Sequence, residues 1–478
     1  MAQEPNATYS EAQSAPQDSP AKRVTFMDVL RHKGFRNLWI GQIVSQVGDY
    51  FAFLATMVVV SGFSKDTQST TLAVTGMLLA QSIPRLMFGM LAGVFVDRWD
   101  RRRTMIVSDL LRAVLTLALI PAFMSKNLPA MYALGFLIST ISTVFRPAEQ
   151  ALIPKLVPKD LLTSANSLAQ TSYMLAVLVG PALAGLTMKV VGTGNEWVAF
   201  IVDSVSFVIS GIAIWLIVVP KEDPRTAEDA SRIAGLGPVR QVWHELMVGL
   251  KMLVLNRTIS TLAVISAIVM LGIGAVNVLW VVYLKAKFGL EGSELAWRLG
   301  LLDIAFAVGM IIASVLVGNF LSHVAPKWFI AGSLLGVGIF LIIFAYLPDY
   351  WTFMVASIGL GAFVAPINTG VSTLLQVVVP NNQLGRVSGG LGTVTEATTL
   401  ISMSLAGVLG ATLGIPTVFV LCGLICASMG LSSWALLPAV TLKDKPEEAV
   451  PPMEVVPLGP VSLEPAVVEE ASERLVTT

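Results

Sequence analysis

The 478-residue chain has little charge, two cysteines and three histidines. Charged residues make up 13%, where a soluble domain carries roughly 25%, so much of the surface is not built to face water. Cys422 and Cys426 stand four apart inside a late apolar run. That spacing puts both thiols on one helix face as packing residues, and gives neither a disulfide framework nor a metal site. His32, His244 and His323 fall at the ends of apolar runs, outside any motif. A lipid enzyme would need a nucleophile–base pair or a metal constellation, and the sequence offers neither, so no enzyme is expected. Walker loop, dinucleotide fingerprint and nucleophile elbow are all missing, so neither a cofactor nor ATP is expected. Lys+Arg and Asp+Glu balance at 31 each, so net charge points to no partner, and nucleic acid is not expected as one. The polar opening, rich in Ser, Pro and Gln, is no signal peptide.

What the chain does have is apolar length. Hydrophobic residues make up 55%, and mean hydropathy is +0.75. A bilayer core needs about 20 apolar residues as helix. Twelve runs meet this: 36–62, 71–96, 104–124, 128–150, 160–190, 197–219, 258–284, 297–322, 327–347, 350–377, 384–413 and 416–438. They predict an all-α membrane protein with twelve transmembrane helices. The layout is a polar N-terminal tail (1–33), a six-helix bundle (34–219), a linker (220–257), a second bundle (258–438) and a disordered tail (439–478). Most Lys and Arg fall in segments on the side of the N-terminus, which places both termini in the cytoplasm. The end of the linker sets Val239, Val242, Trp243, Leu246, Leu250 and Leu253 on one face, an amphipathic helix for the inner membrane surface.

The halves resemble each other. A shift of 222 lays Val157-Pro158 on Val379-Pro380 and Ala184-Gly185 on Ala406-Gly407, and a shift of 225 lays Gly93 on Gly318. Two parallel, pseudo-symmetric bundles follow.

Ionisable groups inside a span are costly and mark function. Measured along the helix, Asp49, Arg85 and Glu396 lie about 18–20 Å from the cytoplasmic ends of spans 1, 2 and 11, near the midplane. Gln42, Gln46, Asp49 and Phe53 form one polar stripe on span 1, which a lipid-facing position would not tolerate. Asn166, Gln170 and Tyr173 on span 5, Asn277 on span 7, and Asn368 and Gln376 on span 10 are further cavity candidates. Asp49 is expected to carry the coupling proton, with Glu396 as second candidate and Arg85 as neighbouring cation; a static Asp49–Arg85 ion pair is the competing reading. Asp109 and Arg112 on span 3, with Arg146 and Glu149 on span 4, form a second cluster nearer the cytoplasm, read as gating against a static network. Asp203 and Asp303 fall toward the outer side without an assigned role.

The stretch GVFVDRWDRRRTM, between spans 2 and 3, resembles the signature loop of the major facilitator superfamily at Gly93, Asp97, Arg98, Arg101 and Arg102. Asp100 stands where many members have glycine. FRNLWIGQIVSQVGD, SDLLRA, FRPAEQALIPKLVP and ANSLAQTSYMLAVLVGPALAG are similar to the branch holding macrolide efflux and enterobactin-type exporters. GPALAG resembles the antiporter motif of drug exporters at Gly180, Pro181 and Gly185, with Ala184 replacing the first of its paired glycines. The resemblance implies a major facilitator fold, a cavity lined by span 1, and Asp97 with Arg146 in a charge network that locks the outward-facing state. It implies a secondary transporter of a bacterial inner membrane. The expected activity is proton-coupled export of an amphipathic small molecule (a drug, macrolide-like compound or siderophore) by alternating access, by a monomer in the lipid bilayer. A facilitator or importer on the same fold is the alternative, and a transporter-like sensor a remote one.

Overall fold

Hydrocarbon offers no water to backbone amides, so an apolar run of span length must close its hydrogen bonds within one helix. The structure, a computed structural model, describes residues 26–218, 238–320 and 324–437, and for a few of these, Gly93, Asp97 and Arg98 among them, the backbone alone. The expected terminal tails lie outside the described residues up to 25 and from 438, as does most of the linker. Twelve helices among the described residues are long and apolar enough to cross a membrane. Spans 1 to 6 are Lys33–Gly62, Thr67–Arg98, Arg101–Met124, Leu128–Leu156, Leu162–Val191 and Trp197–Trp215. Spans 7 to 12 are Arg257–Phe288, Gly292–Phe320, Pro326–Tyr346, Tyr350–Val378, Asn381–Leu413 and Ile415–Leu436.

Short polar residues start several of these helices. Asp66 accepts from Ser69 N at 2.7 Å, Asn127 from Ala130 N at 3.1 Å, and Asp349 from Trp351 N at 2.9 Å. Each satisfies a backbone donor that the first helical turn leaves open. Gly289 ends span 7 in the left-handed conformation that favours glycine (φ 64°). The signature stretch is almost entirely helical. Only Trp99 and Asp100 separate span 2 from span 3, and Asp100 caps span 3 by accepting from Arg103 N at 2.7 Å. Its φ of −66° suits any residue, so the acid in the glycine position costs no strain and supplies a cap.

The helix pairings of one bundle recur in the other. Span 1 packs on spans 5 and 6, span 2 on span 4, and span 3 on spans 4 and 6. Correspondingly, span 7 packs on spans 11 and 12, span 8 on span 10, and span 9 on spans 10 and 12. Across the seam, span 5 meets span 8 and span 11 meets span 2, again a symmetric pair.

These seam contacts explain the matching glycines. A Cβ on Gly185 would come within 2.8 Å of the Ala296 carbonyl oxygen, and one on Gly407 within 2.6 Å of Thr75 Cγ2. Small residues therefore let the two bundles approach closely at equivalent places, on backbone at Gly185 and on the Thr75 side chain at Gly407. Both contacts lie in the helix halves remote from the termini. There Lys285 Nζ also donates to the Ser64 carbonyl oxygen at 2.7 Å, and Thr193 and Ser293 hydroxyls meet at 3.0 Å. The bundles are thus closed against each other at the far end.

The described part of the linker is a helix, Pro238–Leu255, that packs on span 11. Leu246 and Leu253 are buried while Trp243 and His244 are exposed. Gly249 packs directly on the backbone of Arg386 in span 11. Val239 and Val242 lie outside the residues whose side chains are described.

Candidate functional site

On the terminal side of the closed seam lies a cavity of about 650 Å³, walled by spans 1 to 5 with Glu396 of span 11. Span 1 contributes Gln42, Gln46 and Asp49, its stripe facing inward because the opposite face is packed: a Cβ on Gly48 would reach 2.8 Å from Asp203 Oδ1 on span 6. Arg85, Arg112, Arg146, Glu149, Tyr173 and Glu396 complete its charged and aromatic wall. Three carboxylates and three guanidiniums thus share one chamber. Asp49 and Arg85 are both exposed to it, yet no ion pair joins them; Arg85 Nη2 instead donates to Ser82 Oγ at 3.1 Å. Gln42 Nε2 and Gln46 Oε1 are buried and find no partner in the protein.

The midplane charges and the cluster nearer the termini are therefore one constellation. Sequence depth separated them, but Arg112, Arg146 and Glu149 line the same wall as Asp49. Arg146 stacks on Tyr173, 4.6 Å from the ring centroid. Arg112 is 4% exposed, ion-paired with the fully buried Asp109, and held between Phe145 and Phe207 at 4.4 and 4.3 Å. Two aromatic faces and a carboxylate offset the cost of burying that cation. Asp203, 2% exposed, sits beside this pair and accepts from Thr116 Oγ1 at 3.4 Å. Sequence reasoning gave Asp203 no role; its cost inside a span was legible, but its neighbours on spans 1 and 3 were not.

The remaining candidates disperse. Asn166, Gln170 and Gln376 are exposed but not part of the central wall, and Phe53 is 39% exposed. Asn368 lines a separate space of about 390 Å³ between spans 7, 10 and 11, and Asn277 another of about 150 Å³ inside the second bundle. Arg102 is a capping residue: its Nε donates to Ile214 O at 3.2 Å and its Nη2 to Trp215 O, closing the end of span 6. Arg101 Nε is buried without a partner. The side chains of Asp97 and Arg98, and the surroundings of Gly93, lie outside the described residues. In the GPALAG segment, Gly180 accommodates the ring of Tyr50, while Pro181 and Gly185 press on Gly300 and Ala296 of span 8. Cys422 and Cys426 are buried and free. Among the described residues, no group of His, Cys, Asp and Glu is arranged to hold a metal.

Two equivalent six-helix bundles, closed at one end around a charged chamber, define a membrane transporter of the major facilitator fold. The chain belongs to the transmembrane secretion effector family of that superfamily, whose model matches residues 25–464. It is 28% identical to Macrolide efflux protein A of Streptococcus pyogenes over 83% of this chain and 94% of that protein. It is 24% identical to the Enterobactin exporter EntS of Salmonella choleraesuis (strain SC-B67), over 80% and 86% of the two chains. A bacterial homologue of the iron transporter ferroportin, solved in an inward-facing state, has the same fold with a TM-score of 0.64 at 16% identity, over 85% of this chain and 99% of that one.

Proposed function

We propose that this protein is a proton-coupled exporter of amphipathic small molecules, working by alternating access in a bacterial inner membrane with both termini cytoplasmic. It acts as a monomer and catalyses no chemical step. The single observation that carries this reading is Asp49: a carboxylate exposed to the central cavity, free of an ion pair, in a wall shared with Arg112, Arg146 and Glu396. An acid in such a place exchanges protons with the chamber, and its charge changes how the surrounding guanidiniums and a bound substrate interact. Glu396 on span 11 is the second proton candidate, with Arg85 as the nearby cation. The cavity sets the rings of Phe145 and Tyr173 beside charged and amide groups, which suits a molecule with both characters. The named relatives, a macrolide efflux protein and an enterobactin exporter, support export.

With the N-terminal side cytoplasmic, the closed far end makes this the inward-open arrangement. In the cycle, the seam at Gly185–Ala296 and Gly407–Thr75 parts as the terminal ends approach. Arg146, Glu149 and the Asp109–Arg112 pair, with the Asp97, Arg98 and Arg101 stretch, act as the gate in that closing movement. The test is uptake of a compound panel into inverted vesicles holding the protein, with and without an imposed pH gradient. Gradient-dependent accumulation supports the reading. Accumulation that ignores the gradient points to a facilitator, and flux in the opposite direction to an importer.

A further inference from the structure

The second bundle holds a small cavity, about 150 Å³, that the central chamber does not include. Its wall is mostly apolar, the rings of Trp280 and Phe306 included, with Asp303 and Asn277 as exceptions. Trp280 is 6% exposed and its Nε1 has no hydrogen-bond partner. Trp280 is fixed edge-on to Phe306, Phe344 and Phe353 with ring centroids 6.1–6.3 Å apart, so it cannot easily turn to find one.

Asp303 makes no ion pair, and the basic side chains on its side of the bundle are engaged elsewhere. Arg298 pairs with Glu294 at 2.7 Å and lies over the Tyr350 ring. Lys285 bonds the carbonyl oxygens at the end of span 1, and Lys287 donates to Tyr283 OH at 2.7 Å. The cavity wall holds no Lys, Arg or His. The wall of the central chamber, by contrast, holds three guanidiniums beside its three carboxylates. A lone carboxylate within a span is costly and asks for an external partner. Aromatic rings around an anionic group form the surroundings that recognise ammonium ions. The unpartnered indole N–H supplies a donor for an oxygen close to that cation.

We propose that the Asp303–Trp280 cavity is a subsite for the ammonium group of an amphipathic organic cation. A volume of 150 Å³ admits such a head group and not a whole drug-sized molecule. The subsite deepens the exporter reading above by naming a charge class for its substrates.

The experiment uses the full-length protein in lipid nanodiscs, without any gradient, so failure of this subsite and failure of proton-driven export are separate results. Choline and its neutral carbon isostere, 3,3-dimethyl-1-butanol, share shape and hydroxyl group and differ in charge. Saturation-transfer NMR on their methyl signals gives both affinities. Wild type should bind choline at least about fivefold more tightly than the isostere, since tenfold is 1.4 kcal/mol and a partly desolvated cation gains close to that. Asp303→Asn should erase the difference, Asp303→Glu should keep it, and Trp280→Phe should weaken both ligands alike. A smaller ratio in wild type, no binding of choline, or a ratio unchanged in Asp303→Asn overturns the proposal. The wild-type comparison stands by itself if a variant does not fold.

Discussion

Lys285 of span 7 donates from Nζ to the carbonyl oxygen of Ser64, 2.7 Å away at the end of span 1, and also to that of Ser61. One ammonium therefore straps the two bundles together at the far end, using acceptors that a helix end leaves open. Charge-assisted hydrogen bonds of this kind contribute roughly 1.5–3 kcal/mol. Lys285→Met should raise the population with the far end open by about tenfold or more. Spin labels at Lys65 and Glu291, read by double electron–electron resonance, should show a growing long-distance population. An unchanged distribution would mean that the strap carries no weight.

The glycine seam gives a second prediction. Gly185→Val puts a side chain against the Ala296 carbonyl, which belongs to backbone and cannot move aside. The far end should then fail to close, transport should fall by at least about tenfold, and a cysteine placed at Ser293 should react faster with a water-soluble maleimide. Gly62→Ala is the control, because nothing lies within 4 Å of its added carbon. Equal effects at the two positions would count against the seam.

Burial of the Asp109–Arg112 pair predicts a sign as well as a size. Arg112→Met leaves Asp109 charged and unpaired where it is fully buried, and should destabilise the protein by about 3–5 kcal/mol. The double replacement Asp109→Leu with Arg112→Met should recover much of that loss, because two apolar side chains need no partner. Thermal unfolding of single and double variants in detergent measures both. If the double variant is no more stable than the single, the pair is not the source of the cost.

A pH dependence follows from two helix caps outside the membrane. Backbone N–H bonds from Ser69 and Thr352 lead in holding Asp66 and Asp349 below the usual carboxylate value of 3.8. A depressed pKa in the folded state gives stability that is present above pH about 4 and fades as pH drops through the lowered value. Asparagine caps equally well and does not titrate. Asp66→Asn with Asp349→Asn should therefore flatten the loss of Tm in that acidic window and leave Tm at pH 7 almost unchanged. A wild-type and variant pair with parallel acid profiles would contradict this.

Most of the fold was legible because hydrophobic length is a local property. Each of the twelve runs became a span, and the 222-residue match of Gly185 to Gly407 proved to mark equivalent seam contacts. The charges were legible as costs, not as partners. Asp49, Arg85 and Glu396 did reach one cavity, since equal depth on inward-facing helices suffices for that. Arg112, Arg146 and Glu149 line that cavity too, so depth along a single helix did not foretell which charges meet. Asp203 and Asp303 had no account in the sequence: their surroundings come from spans far away in the chain, and for Asp303 the telling fact is a missing cation. Asp100 is the converse case. A departure from the family pattern at the level of motif became an ordinary helix cap at the level of backbone.

The central claim is that Asp49 couples protons to export, and Asp49→Asn tests it most directly. Purified wild type and variant would be placed in proteoliposomes with one transported compound, and two rates compared: transport driven by a pH gradient, and exchange of labelled for unlabelled compound with no gradient. Coupling at Asp49 predicts that the variant loses gradient-driven transport and keeps exchange. Gradient-driven transport at the wild-type rate in Asp49→Asn would contradict it.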